Sequence, residues 1–148
     1  MGTGPDRLSP THIPKPAPDV QRIIDRSLQV RVVRHNEDLH VCRVAGEVDL
    51  LTGSTLARVL DDLNNRRVPA VIVDLTEVTY CAAAGVRVLL DATARARWAG
   101  QRLAVVIANL TVARVLKATE TTEGIENYAS LSEAMVALTS VPRREFGA

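Results

Sequence analysis

The stretch Val71-Ile72-Val73-Asp74-Leu75, together with the helical pattern that follows it to Leu90, decides the fold of this chain. Val71 to Val73 form a continuous β-branched apolar run, which is typical of a strand covered on both faces, as parallel strands usually are. We expect the strand to surface at Asp74 and Thr76 and to reach the next helix through a short linker. Functional sites of open α/β sheets usually lie at strand-to-helix turns, so this junction is the first candidate site.

The helix after this strand is predicted to begin in three alanines, Ala82 to Ala84, which we call the alanine turn. The residues expected to face the core recur with the spacing of one helix face. These inward residues are Val86, Leu89, Leu90, Thr93 and Ala96. The opposite face carries charges four residues apart, a spacing that supports a helix. These charged residues are Arg87, Asp91 and Arg95. Gly100 suits the left-handed position at the end of the helix.

The alanine turn is unusual because it offers almost no chemistry. A helix N-terminus normally begins with Ser, Thr, Asp or Asn, and alanine in that position costs about 0.5–2 kcal/mol. Ala82, Ala83 and Ala84 supply no side-chain acceptor, nucleophile or charge. The junction can therefore present shape, backbone N–H groups and the helix dipole, but its own side chains cannot catalyse a reaction. The simpler interpretation is that three good helix formers begin a helix.

Composition restricts the class of protein. The chain has 148 residues, of which 47% are apolar and 3% aromatic, which is typical of one compact α/β domain. The formal net charge of +1 provides no global field toward nucleic acid or a membrane. No apolar run approaches the roughly 20 residues of a membrane-spanning helix, and the N-terminus lacks the features of a signal peptide. We expect a cytoplasmic protein that neither binds nucleic acid nor inserts into a membrane.

The chain ends are predicted to lie outside the folded domain. Residues 1–18 hold five of the seven prolines and are expected to form a disordered tail. A single domain is predicted for residues 19–140 and a C-terminal tail for residues 141–148. Within the domain, Val20, Ile23 and Ile24 are expected to form a short amphipathic turn.

The remaining periodicities predict a mixed sheet. Leu28 to Arg34 alternates with period two and returns through a polar turn as a second strand, so these two strands form an antiparallel hairpin. Later strand–helix–strand units require parallel strands. The other expected elements are a helix from Thr52 or Ser54 to about Asn65, a strand from Leu103 to Ile107, a helix capped by Asn109 or Thr111, a short edge strand within Ile125 to Tyr128, and a last helix capped by Ser130 or Ser132. The prediction is an α/β fold with an N-terminal antiparallel hairpin, then parallel strands, and about four helices.

Two short motifs give this order a family resemblance. Gly46-Glu47-Val48-Asp49 closes the second strand, and the junction from Tyr80 to Gly85 follows the third. With these motifs the chain, from about Leu28 to Leu138, resembles the STAS domain family, of the anti-sigma factor antagonist (anti-anti-sigma) type. In that family the junction usually reads Asp-Ser-Ser-Gly or Asp-Ser-Thr-Gly. The hydroxyl residue before the glycine accepts phosphate from an anti-sigma factor kinase, and phosphorylation releases the antagonist.

This chain departs from the family pattern at the switch. By position, Ala84 stands where the phosphorylated Ser or Thr would be, and Ala82 stands where the Asp would be. A phosphate adds a charge of about −1.5 to −2 at pH 7, and the alanine turn cannot accept one. Two hypotheses follow: the protein is held in its binding-competent state as far as this site is concerned, or the fold serves another contact.

The resemblance implies a non-enzymatic regulatory module that acts in transcription regulation by binding the kinase-type ATPase domain of an anti-sigma factor. The alternative is a structural or accessory STAS subunit of a transporter or scaffold complex. The residues expected to contact the partner belong to the second-strand motif, the junction and the charged helix face. They are Asp49, Tyr80, Cys81, Ala82, Ala83, Ala84, Gly85, Arg87, Asp91 and Arg95.

The other reactive residues give weaker hypotheses. Cys42 and Cys81 are expected to pack as small hydrophobic residues, or, if redox control replaces phosphate, Cys81 near a helix N-terminus has a lowered pKa. Glu47 and Asp49 share a strand face, as a solvated sheet end or as a catalytic pair. No histidine has metal-ligand spacing and no glycine-rich phosphate loop occurs, so we expect neither metal nor cofactor.

Trp98 lies among arginines in the second half of the central helix. The arginines around it are Arg87, Arg95, Arg97 and Arg102. Such a set is most often a solvated helix face, although Arg and Trp are also the typical anchors of protein interfaces.

Overall fold

Six strands form one sheet in the order β1 to β6, so every strand lies beside its neighbours in the chain. The computed structural model describes residues 20–140. The elements within this range are β1 (Val20–Asp25), β2 (Leu28–Arg34), β3 (Leu39–Val48), α1 (Gly53–Asn65), β4 (Ala70–Cys81), α2 (Ala83–Ala99), β5 (Arg102–Val106), α3 (Leu110–Ala118), a 3-10 turn (Thr122–Gly124), β6 (Glu126–Tyr128) and α4 (Leu131–Ser140).

The sheet is mixed, as the sequence predicted. β1 pairs with β2 and β2 with β3 in antiparallel fashion, whereas β3, β4, β5 and β6 run parallel to one another. Four α-helices connect or follow these strands between residues 20 and 140. The carboxyl ends of the parallel strands therefore share one edge of the sheet, where Val48 of β3 pairs with Cys81 of β4.

The core lies on both faces of the sheet, which explains the β-branched run in β4. Val71, Ile72 and Val73 are all fully buried. Val71 and Val73 belong to the larger core cluster, which includes residues of α1, α2 and α3, while Ile72 packs in a smaller cluster with Ala134 of α4. Because side chains alternate along a strand, a stretch covered by helices on both faces is apolar at successive positions, as from Val71 to Val73.

The prediction that β4 reaches the surface at Asp74 and Thr76 is wrong. The strand continues to Cys81, and Asp74 is buried at 3% exposure. Its carboxylate accepts hydrogen bonds from the backbone N–H and the hydroxyl of Thr76, at 3.0 and 2.5 Å, and lies 3.6 Å from Nε of Arg43 on β3. A buried charge needs such partners. Thr76, two residues further along the strand, and Arg43 on the neighbouring strand supply them, so a polar residue here does not end the strand.

The expected amphipathic turn near the N-terminus is also wrong. Residues 20–25 form β1, which pairs along its whole length with β2, from Val20 opposite Val33 to Asp25 opposite Leu28. The apolar spacing there imitates a helix turn, but backbone pairing to the edge of β2 determines the structure. The predicted tails, residues 1–18 and 141–148, lie outside the described residues, so the domain boundaries remain predictions.

The predicted helix caps are partly confirmed. Asn109 caps α3, since its side chain accepts from the N–H of Val112 at 2.9 Å. Its amide also donates to carbonyl oxygens of residues 75, 76 and 78, which ties α3 to the end of β4. Ser130 caps α4 by accepting from the N–H of Glu133 at 3.1 Å. Gly100 ends α2 in the left-handed conformation, with φ of 75°.

Candidate functional site

The alanine turn lies at the carboxyl end of β4 and begins α2. Ala82 is the N-cap, with extended backbone and no side-chain capping bond. Its N–H donates to the carbonyl oxygen of Val48 at 2.9 Å, and its own carbonyl oxygen accepts from Gly85 at 2.9 Å and Val86 at 3.3 Å. Ala83 is exposed, and Ala82 and Ala84 are half-buried. The turn is therefore accessible and fixed by backbone hydrogen bonds to β3.

The loop between β3 and α1, residues 49–52, is held together by Asp49. Oδ1 of Asp49 accepts from the N–H groups of Leu51 and Thr52, both at 2.9 Å. In return, the Asp49 N–H donates to Oγ1 of Thr52 at 3.0 Å, and the Thr52 hydroxyl donates to the Glu47 carbonyl at 2.8 Å. The Thr52 N–H, together with the other bonds to Thr52 and Leu51, holds the pKa of Asp49 below its usual range. This carboxylate shapes the loop, and its contact with a partner remains a prediction.

The two sequence motifs are in direct contact. A Cβ placed on Gly85 would lie 2.7 Å from Cγ1 of Val48 and 2.9 Å from Sγ of Cys81. Gly85 is therefore required because the first turn of α2 packs closely against the end of β3. Earlier in β3, Gly46 adopts φ of +95°, and the next N–H, of Glu47, donates to the carbonyl oxygen of Ser27 at 3.2 Å. Both glycines thus fix the backbone on which the site is built.

Three large apolar side chains are exposed around the alanine turn. Leu50 is 80% exposed, Leu51 59% and Tyr80 52%, and we call these three residues the apolar rim. A Cβ on Gly53 would lie 4.0 Å from the carbonyl oxygen of Ala84, which places the 49–52 loop beside the turn. Sequence reasoning identified Tyr80 but missed both leucines. The sequence carried no distinguishing signal, because two adjacent leucines before a helix are equally typical of a buried helix start.

The charged face of α2 is only partly arranged as expected. Arg87 and Asp91 form an ion pair at 3.9 Å, with side chains 75% and 55% exposed. Arg95, however, pairs at 2.7 Å with Asp61 on α1, so it ties the two helices together. An exposed ion pair contributes at most about 1 kcal/mol to stability. These side chains are therefore available to solvent or to a partner.

The predicted lowering of the Cys81 pKa is wrong. Burial raises the pKa of the Cys81 thiol above its usual value and that of Cys42 to about 12. The Cys81 sulfur faces Gly85 and the core, where a thiolate would lose its hydration. Cys42 pairs with Val73 in the register, eight residues before Cys81 on β4. Because β4 is bulged, the same span takes six residues of β3, from Cys42 to Val48, which is roughly 20 Å and far beyond the reach of a disulfide.

Two features of the described residues bear on metal binding and acid–base chemistry. Between residues 20 and 140 no group of three His, Cys, Asp or Glu side chains is placed to hold a metal ion. Glu47 is exposed and accepts from Oγ of Ser27 at 3.3 Å, while the carboxylate of Asp49 accepts from backbone N–H groups of its own loop. No helix in this part of the chain is both long and apolar enough to cross a membrane.

Comparison with known proteins identifies the fold. A family model described as "Mlab, STAS domain" matches residues 31–126. An anti-sigma factor antagonist from Mycobacterium paratuberculosis is similar in structure, with a TM-score of 0.66 and 22% identity over 75% of this chain and 93% of that chain. The anti-sigma factor antagonist SpoIIAA in its unphosphorylated form gives a TM-score of 0.65 and 14% identity over 76% of this chain and 98% of that chain.

A longer protein contains a similar domain. SLC26A9 gives a TM-score of 0.58 and 11% identity over 73% of this chain but only 21% of that chain. No curated protein matches the chain significantly by sequence. At such identities the structural likeness concerns the fold.

Proposed function

Because the chain belongs to the STAS domain family, as the match over residues 31–126 shows, we propose that it is a non-enzymatic regulatory module of the anti-sigma factor antagonist type. Its proposed partner is the kinase-type ATPase domain of an anti-sigma factor, which it binds in the cytoplasm and thereby influences transcription. The observation that carries the proposal is the apolar rim. Leu50 and Leu51 belong to the loop that leads to Gly53, which approaches the Ala84 carbonyl oxygen, and Tyr80 lies four residues before Ala84, the position at which the family carries its regulatory hydroxyl.

The chemistry of this surface suits close contact with another protein. Exposed apolar side chains grouped at one place mark interaction sites more often than chance. Burial of one leucine contributes about 1.5–3 kcal/mol, so Leu50 and Leu51 can offset part of the cost of association. The alanine turn between these groups carries no charge to repel or desolvate. A partner can therefore approach the backbone of the turn closely, with Arg87 and Asp91 at the margin.

The apolar rim can be tested by a charge substitution. Leu51→Asp is expected to weaken binding of the purified anti-sigma factor ATPase domain at least tenfold, because a carboxylate would have to be desolvated in the contact. Calorimetric titration gives the dissociation constant. The matched control is Val136→Asp on α4, at a side chain 65% exposed on another part of the surface. Equal affinities for both variants and the unsubstituted protein would remove the rim from the interface.

Phosphorylation tests the state of the switch. We expect no label in the peptide of residues 79–86 after incubation with ATP and a kinase-type anti-sigma factor, because the alanine turn has no hydroxyl and the hydroxyls of Thr79 and Tyr80 lie outside the position that the family phosphorylates. Ala84→Ser is expected to gain label, since a phosphate at a helix N-terminus is stabilised by backbone N–H groups and the dipole. Ala83→Ser is the control and should stay unlabelled. Mass spectrometry locates the modification, and label in the unsubstituted turn peptide would contradict the proposed position of the switch.

The second candidate is a structural or accessory STAS subunit of a transporter or scaffold complex. The similarity to a fifth of the SLC26A9 chain favours it, because there the fold forms part of a larger protein. Such a role needs no phosphate switch, which also fits the alanines. The two candidates differ in what is retained on the tagged protein: a sigma-regulatory ATPase domain supports the first, and a membrane complex supports the second.

A further inference from the structure

The far end of α2 carries a large apolar side chain that the packing of the domain does not use. Trp98 is 92% exposed, more than any other large apolar residue between positions 20 and 140. It lies three residues after Arg95 and seven after Asp91, on the outward face of the helix. An indole so fully exposed contributes nothing to the core, and tryptophan is among the residues most enriched at the energetic centres of interfaces.

Helix α2, which carries Trp98, and the neighbouring helix α1 are both part of a basic region. Residues 53–67 and 83–99 contain six arginines and three aspartates, a formal charge of +3, whereas the whole chain carries +1. The three aspartates are each paired with an arginine of the same helical layer. These pairs are Arg66–Asp62, Arg87–Asp91 and Arg95–Asp61. The charge excess therefore comes from Arg58, Arg67 and Arg97. Arg67 lies just after the end of α1. Arg97 lies near the end of α2, directly before Trp98.

We infer that Trp98 and the arginines at this end of the helices bind an acidic surface of the partner protein, with the indole in an apolar recess of that surface. The inference rests on the proposed function and extends its interface along α2. Charge complementarity identifies the kind of partner surface, because a basic face with one exposed aromatic residue favours an acidic surface.

The distances allow one partner to cover both ends of α2. Ala84 and Trp98 are fourteen residues apart, which corresponds to about 21 Å along a helix. A protein interface of standard size buries roughly 800 Å² on each partner, equivalent to a disc about 32 Å across. One contact of ordinary size can thus include the apolar rim, the charged face of α2 and Trp98.

Trp98 reports its own environment because it is the only tryptophan of the chain. We would incorporate 5-fluorotryptophan and follow its ¹⁹F resonance while adding unlabelled, purified anti-sigma factor ATPase domain, whose own tryptophans are then silent. The expected result is a shifted or broadened resonance that saturates with the binding isotherm. Trp98→Ala is expected to weaken binding about tenfold, while Val136→Ala, also at an exposed side chain, leaves the affinity unchanged.

The charge component has a separate readout. Affinity is expected to fall as NaCl is raised from 50 to 500 mM, and the double variant Arg67→Ala/Arg97→Ala should show a smaller fall. Thermal melting of Trp98→Ala should match the unsubstituted protein, because that side chain is exposed. The double variant also loses the bond from Arg97 to the Gly124 carbonyl oxygen at 3.1 Å, so its melting temperature should fall by no more than a few degrees.

The outcomes separate the two proposals. Loss of binding for Leu51→Asp, with an unmoved ¹⁹F resonance and full affinity for Trp98→Ala, overturns the role of Trp98 and leaves the proposed function in place. Absence of binding by the unsubstituted protein to every ATPase domain of this class overturns both. A salt-independent affinity with a shifted resonance overturns the acidic nature of the partner surface.

Discussion

Gly46→Ala is expected to lower the free energy of unfolding by about 4 kcal/mol. A Cβ at this position would lie 1.9 Å from the carbonyl oxygen of Ser27, a backbone atom that cannot rotate away. Moving it would break the bond to the Glu47 N–H and the pairing of Gly46 with Leu28. The φ of +95° adds about 1–2 kcal/mol of strain for a residue with a side chain, and the steric conflict adds about 1–3 kcal/mol.

Two other glycines separate these contributions. Gly100 has φ of +75° with nothing within 4 Å of an added Cβ, so Gly100→Ala should lose only about 1 kcal/mol from the conformation. Gly124 also has open space around it, and no positive φ, so Gly124→Ala should be within about 0.5 kcal/mol of the unsubstituted protein. Urea unfolding followed by circular dichroism measures all three. A Gly46→Ala variant no less stable than Gly100→Ala would show that the backbone at Ser27, between β1 and β2, can move away from the added methyl group.

The fold was predictable because its main signals are local. The alternation in β2, the β-branched run in β4 and the helical spacing from Val86 to Ala96 each report which side chains meet the core. Periodicity cannot report which buried polar groups find partners. Asp74 was expected at the surface because its partners, Thr76 and Arg43, are brought to it by a bulged strand and by a neighbouring strand.

The candidate site was only partly predictable for a related reason. The resemblance located the alanine turn and Asp49, and the structure gives these motifs a physical basis in the contact of Gly85 with Val48. The exposure of Leu50 and Leu51 could not be predicted, since the same two residues would suit the buried start of a helix. Their exposure follows from the hydrogen bonds of Asp49, which turn the loop outward before α1 begins.

The second large effect is expected for Gly85→Ala, with a loss of about 2 kcal/mol in the free energy of unfolding. Two contributions oppose each other. Alanine is better than glycine within a helix by about 1 kcal/mol. The added methyl group, however, would lie 2.7 Å from Cγ1 of Val48 and 2.9 Å from Sγ of Cys81, both buried side chains with little freedom to move. Overpacking of this kind costs about 1–3 kcal/mol, and contact with two atoms places the cost at the upper end.

Gly53→Ala is the matched control for that substitution. Gly53 is also a buried helical glycine, but its added Cβ would meet Cγ2 of Val88 at 3.4 Å, an ordinary contact. Because the contact costs little, Gly53→Ala is expected to range from no change to a gain of about 1 kcal/mol.

A double-mutant cycle then identifies the atom responsible in the Gly85→Ala variant. Val48→Ala removes Cγ1 and leaves a space that the new methyl group can enter, so the double variant should be more stable than the sum of the two single changes by at least about 1 kcal/mol. Additive losses would place the strain elsewhere, and the packing of the alanine turn against β3 would no longer explain why a glycine follows it.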